Sequence, residues 1–420
     1  MFKNYKLNVF AFALTVALGV SMAACSDDDP EGVNNPLSPT ESKAYMEETA
    51  NMFLNKFNPS DQKALSDFAQ YFCDEYGDLD APEEWGIDDG DDWAYPYSVM
   101  RTLADVCGGD IHAASRAASD IYDFNRFAGV YVAGSRYWVK ESNSNDVIFK
   151  FKNNKGVDCE IKATGTGGNS SVSADDVTVI VPKKVVVTVK EGATTHAHIT
   201  VESSINEGNH TAYVRVDATI ANVHSVSNLD ITDNLLTMTQ DVELSGSLLI
   251  KGKASVTGSN MCNRSVVESF IRDEDYDKLL NLMHQANGEV DVLGRLQIKA
   301  NAVEFKKVGD ILDRYYDYYY YNSVENAEAA CKRDVELLKG FVSAGIYYNS
   351  DVKQADLSFE PVYDSWGSSD WSWEWYINPV IVFSSDGTSY SFEDYFGNSR
   401  FASVESLWES LLNNYENLWR

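Results

Sequence analysis

Apolar residues recur at helical spacing early in the chain and at every second position through its middle. Tyr45, Thr49, Met52, Phe53 and Phe57 fall on one helical face behind Ser38-Pro39-Thr40-Glu41, which forms a capping box with Pro at the first helical position. Beyond Asn58-Pro59-Ser60-Asp61 the spacing resumes with Leu65, Phe68, Ala69, Phe72, Cys73 and Tyr76. So short a turn predicts that the two helices pack as a hairpin. Residues 98–107 and 110–127 read as helix again, the second capped by Asp110.

The period then falls from 3.6 to 2. Ala212, Val214, Val216, Ala218 and Ile220 alternate with Tyr213, Arg215, Asp217 and Thr219. Leu248, Ile250, Ala254 and Val256 do the same, and so do Val290, Val292, Leu296 and Ile298. Strands with one wet and one buried face favour an antiparallel sheet. About six or seven strands are expected between 147 and 258, with turns at Glu191-Gly192, at Glu207-Gly208-Asn209 and near Ser225 to Asn228. A large apolar sheet face needs a cover. The amphipathic stretches 264–286 and 308–344 are candidates, and a last helix behind Ser403 carries Val404, Leu407, Trp408, Leu411 and Leu412. Further strands are expected near 357–363, 373–383 and 388–392, the last behind the Asp386-Gly387 turn.

These runs predict an α+β fold: an N-terminal helical block, then a long-stranded antiparallel sheet packed against amphipathic helices. The expected organisation is a signal segment over 1–24, a flexible acidic tether over 25–37 and one globular region over 38–420. That region divides into a helical part (38–127), a sheet-rich part (130–303) and a mixed part (304–420).

The 420-residue chain carries a net charge of −30, and cleavage after residue 24 removes two lysines and makes it −32. That balance argues against nucleic acid or an anionic membrane surface as partner, since both attract positive charge. Cys73, Cys107, Cys159, Cys262 and Cys331 are far apart and form no C-x-x-C pair; free buried thiols are the expectation, with Cys73 and Cys107 the one pairing worth considering.

Lys3 and Lys6 precede an apolar run from Leu7 to Val20, too short to span a bilayer, and Met22-Ala23-Ala24-Cys25 follows. This stretch resembles the lipobox of bacterial lipoproteins. The resemblance implies cleavage before Cys25 and acylation of its thiol. Ser26-Asp27-Asp28-Asp29 resembles the acidic export signal of Bacteroidota-type surface lipoproteins. It implies an outer-membrane, lipid-anchored chain exposed at the cell surface. The resemblance covers residues 1–35 and implies nothing about the fold beyond.

Candidate chemistry is sparse. His196 and His198 are spaced to share a strand face and so to seed a metal site. Asp78, Asp80, Glu83, Glu84, Asp88, Asp89, Asp91 and Asp92 crowd oxygens suited to calcium, although Asp88-Asp89-Gly90-Asp91-Asp92 lacks the EF-hand pattern. Trp366, Trp371, Trp373 and Trp375 fall close together, and the last three are spaced to share one strand face, a geometry suited either to core packing or to stacking on sugars. Tyr315 to Tyr321 is a second aromatic run, which on helical spacing reads as core. No Gly-x-Ser-x-Gly, P-loop, G-x-G-x-x-G or H-E-x-x-H motif occurs, so no catalytic residue and no cofactor is assigned. The expectation is a non-catalytic binding module with a glycan or envelope-protein partner. The alternatives are a carrier of a lipid or other hydrophobic ligand in a cavity between sheet and helices and, more weakly, a carboxylate-dependent hydrolase.

Overall fold

The computed structural model describes residues 33–76, 79, 82, 121–174, 177–206, 208–263, 265–266, 280–367, 372–396 and 402–416. The first helix, α1 (Pro39–Leu54), begins at the expected box: the Ser38 hydroxyl accepts from the Glu41 amide and the Glu41 carboxylate accepts from the Ser38 amide. The second, α2 (Lys63–Tyr76), follows a single 3₁₀ turn.

The strands are β1 (Ile121–Asp123), β2 (Gly129–Ala133), β3 (Trp138–Ser142), β4 (Val147–Lys152), β5 (Asp158–Ala174), β6 (Val177–Glu191), β7 (Thr194–Asn206), β8 (Thr211–Ile220), β9 (Val223–Thr232) and β10 (Leu235–Leu244). They continue as β11 (Ser247–Gly258), β12 (Met283–Val292), β13 (Leu296–Val303), β14 (Tyr316–Asp317), β15 (Val342–Tyr348), β16 (Lys353–Ser365), β17 (Trp373–Phe383) and β18 (Ser389–Ser391). The later helices are α3 (Phe305–Leu312), α4 (Tyr318–Tyr321), α5 (Val324–Phe341), α6 (Phe392–Phe396) and α7 (Ala402–Glu416).

All eighteen strands among the described residues belong to one sheet, and the fold is α+β. From β4 to β13 each strand pairs antiparallel with the next, and β15, β16 and β17 extend the ladder. The parallel pairs are β1 with β6 and β2 with β4. One edge is β3; at the other, β14 and β18 both pair with β17.

Register explains the two faces. Ile161, Val189, Ala197, Ile220, Val223 and Leu244 are successive partners on one apolar row. On the other face Lys184, Glu202, Arg215, Asn228, Thr239, Lys253, Glu289 and Lys299 form a row of alternating polar character, the arrangement that avoids like charges opposite one another. The helices cover the apolar face. Phe68 and Phe72 of α2 pack on Phe149, Phe151 and Ile161, while Phe53 and Leu54 of α1, with Leu411 of α7, pack on Leu244, Leu249, Val290 and Val292. Met46 of α1 joins Ile346, Tyr348, Ile381 and Phe383, and α3 and α5 cover Val342, Phe359 and Ile377.

Several expectations are corrected. The helices α1 and α2 do not form a hairpin: each buries its stripe on a different part of the sheet, and α7 is the neighbour of α1. The expected helix over 110–127 fails in its described part, where β1 and a 3₁₀ turn stand. Met283 to Ala286 are strand, paired with β11 and β13, although helix was expected through 286. The stretch 308–344 is broken by β14 and α4, and Val342 begins a strand. Eight strands, β4 to β11, lie between 147 and 258. The turn expected near Ser225 to Asn228 lies instead at Ala221-Asn222, with Ala221 at φ 50°. The single strand read across 290–298 is two, joined at Leu293-Gly294, where φ is 65° and 69°.

Candidate ligand-binding edge

The β14 edge is built by short-range capping and one buried charge. Asp317 accepts from the amides of Tyr319 and Tyr320 at 3.0 and 3.3 Å and so starts α4. Asn322 ends α4 at φ 53°, a left-handed conformation that Asn tolerates well, and Ser323 caps α5. Asp334 of α5 is fully buried. It accepts from Arg314 Nη1 at 2.7 Å, from the Tyr316 hydroxyl at 3.1 Å and from Arg333 Nε at 3.1 Å. Those bonds join both ends of the Arg314–Tyr316 segment to α5. Burial, and then the Asp334 charge, pushes the Tyr316 hydroxyl well above the usual tyrosine range, so it stays a donor.

Tyr316 pairs with Trp375, and Asp317 with Glu374. Tyr316 and Trp373 bury against Ala327, Ala330 and Cys331 of α5, with Trp375 packed beside them. The Tyr363 ring lies 5.4 Å from Trp375, and the Lys332 ammonium sits 5.9 Å over the Trp375 ring. Alternation therefore turns the neighbours of these residues outward. Tyr315 (51% exposed) and Tyr376 (40%) take that face, and Tyr320 (66%) stacks on Tyr315 at 5.8 Å. Tyr363 (45%) is the partner of Trp375 and so lies on the opposite, α5 side of the sheet, while Tyr319 (76%) of α4 and Trp366 (61%), just past β16, are exposed at the same end. Apart from Tyr213, every exposed Tyr or Trp among the described residues is at this edge. Exposed aromatic surface, here the stacked Tyr315 and Tyr320, marks interaction sites where it is extensive.

Carboxylates cross the same face. Asp364 of β16 is the partner of Glu374, and Glu374 is the partner of Asp317. Burial, then the Asp364 and Asp317 charges, hold the Glu374 carboxyl above its ordinary range. Rings flanked by acceptor oxygens suit a ligand with apolar C–H faces and hydroxyl donors.

Of the four tryptophans singled out in the sequence, Trp366 is exposed, Trp373 is buried and Trp375 is half-buried against α5, while Trp371 lies outside the described residues. The Tyr315–Tyr321 run, expected as core, supplies three of the exposed rings; what local spacing misses is the β14 pairing that sets it beside β17.

The other candidates are not brought together. His196 and His198 do not share a face: a bulge opposite Val189 and Lys190 inserts His196, which turns inward, stacks 4.8 Å from Phe68 and meets Glu191 Oε2 at 3.0 Å, while His198 is exposed. His224 bonds Asp217 through Nε2 at 3.1 Å and Glu243 through Nδ1 at 3.3 Å. With both ring nitrogens occupied it is a bridge between strands. Among the described residues no group of three or more His, Cys, Asp or Glu side chains is placed to hold a metal. Cys159, Cys262 and Cys331 are free thiols. Cys25 to Asp29, Asp78, Asp80, Glu83, Glu84, Asp88, Asp89, Asp91, Asp92 and Cys107 lie outside the described residues. No helix among the described residues is long and apolar enough to cross a membrane. No family model, no curated protein and no solved structure matches the chain.

Proposed function

We propose that this chain is a lipid-anchored envelope protein, held at the outer membrane through Cys25 and exposed at the cell surface, whose β14–β17 edge binds saccharide. The anchoring half rests on the signal segment, the Met22–Cys25 box and the acids after it. The binding half rests on one observation: six exposed aromatic residues flank the end of one strand pairing, Tyr315, Tyr320 and Tyr376 on its outward side, Tyr363 on the α5 side, and Tyr319 and Trp366 in the adjoining α4 and loop. A soluble protein does not leave such a group of rings wet without a use for it. The adjoining Asp364 and Glu374 favour a hydroxyl-rich ligand over a purely apolar one. A glycan array probed with the mature chain and with Trp366→Ala and Tyr319→Ala tests this. Selective binding by the wild type that both variants lose by tenfold or more supports it. No binding to any glycan, or binding that both variants keep, overturns it.

A further inference from the structure

Residues 33–38 are tied to one end of the sheet. The Val33 amide donates to the Tyr348 carbonyl at 3.1 Å, and the Ser350 hydroxyl donates to the Val33 carbonyl at 2.7 Å. Gln354, fully buried, accepts from the Leu37 amide at 2.8 Å and donates to the Asn35 carbonyl at 3.4 Å. Val33 and Leu37 pack with Tyr348, Ala355 and Phe383. The chain therefore leaves the fold toward Cys25 at the pole made by the end of β15, the start of β16 and the end of β17.

The aromatic edge stands at the other end of the same strands. Ala355 pairs with Phe383 at the tethered pole, and Ser365 pairs with Trp373 at the aromatic one. Ten residues of strand between Ala355 and Ser365 separate the two by about 33 Å. The backbone from Cys25 to Val33 reaches at most about 29 Å when fully extended. A lipid on Cys25 thus keeps the first pole within that reach of the bilayer, and the tether is too short for the molecule to stand inverted on the second.

We infer, on the reading of Cys25 as the anchor, that the aromatic edge is the membrane-distal pole of the protein and takes a saccharide offered by the surroundings, not one rooted in the membrane that carries it. Asp351 and Asp386, in the turns of the tethered pole, face the bilayer in this orientation, while Tyr319, Ser365 and Trp366 face away.

Photocrosslinking of the full lipidated protein, reconstituted in phosphatidylethanolamine vesicles that also carry lipopolysaccharide, decides this. The variants are Asp351→p-benzoylphenylalanine and Ser365→p-benzoylphenylalanine. A second pair at Asp386 and Tyr319 covers the case in which one of the first does not fold. Lipid or lipopolysaccharide adducts several-fold more abundant from the 351 or 386 probe are expected. Equal or greater yield from the 365 or 319 probe overturns the orientation. Protein that does not float with the vesicles overturns the anchor reading itself and this inference with it. Neither outcome touches saccharide binding, which the glycan array reads separately.

Discussion

Tyr316 stands directly across from Trp375 in the β14–β17 pairing, and its hydroxyl reaches past the strand to the buried carboxylate of Asp334. Through that one residue two aromatic runs distant in the chain share an edge, and the edge is fixed to α5. Asp334→Ala removes the acceptor of three donors and leaves the Arg314 and Arg333 charges without their partner. Breaking a buried ion pair costs about 3–5 kcal/mol. Part of each arginine is wet, so the lower end applies, and urea unfolding should show it together with weaker saccharide binding.

Trp373 and Trp366 should separate sharply in thermal unfolding. Trp373 is buried against α5, and its truncation to Ala costs about 3–5 kcal/mol. Trp366 is 61% exposed, and Trp366→Ala should change stability by no more than about 0.5 kcal/mol. Equal losses from the two would remove the distinction between packing and display on which the site is built.

Local patterning shows in the sequence, and long-range register does not. The capping box at Ser38, the alternation of β8 and the apolar stripe of α7 are each legible because the cause lies within a few residues. The β12–β13 hairpin is hidden for a definite reason. Val292 and Leu296 are four positions apart, so apolar parity runs through the Leu293–Arg295 turn without a break. His196 is misread because a bulge shifts the phase of β7 by one residue. The tryptophan run is visible as a candidate, but its union with the tyrosines depends on a two-residue strand whose partner no local signal names.

His224 should make stability depend on pH. Its bonds to Asp217, and then to Glu243, raise its affinity for a proton above that of an ordinary histidine. A raised histidine contributes stability that is complete below the unfolded value, about 6.5, and is lost as pH rises through the folded value. The melting temperature of wild type should therefore exceed that of His224→Gln at pH 5.5, and the gap should close by pH 8.5. A gap that grows with pH would contradict the bridging role.

Glu374 runs the other way. Its carboxyl is held above the ordinary range by burial and by two neighbouring acids, so its ionisation opposes folding as pH rises through that window. Glu374→Gln should melt higher than wild type at neutral pH and lose that advantage below about pH 4.5. Melting curves at the two pH values check both halves of the statement.

Cys25→Ala should move the protein from the membrane fraction to the soluble one, because acyl chains are the proposed anchor. Carbonate-washed membranes probed for the variant give the answer, and retention there would refute the anchor.

On the reading proposed above, the β14–β17 edge displays its rings to hold saccharide. Affinity electrophoresis of the mature chain through gels cast with individual polysaccharides tests it most directly, run beside the Tyr319→Ala, Trp366→Ala double variant. At least one polysaccharide should retard the wild type, the double variant should migrate as in an empty gel, and both proteins should melt within a degree or two of each other. Retardation that survives the double substitution, or no retardation by any polysaccharide, would contradict it.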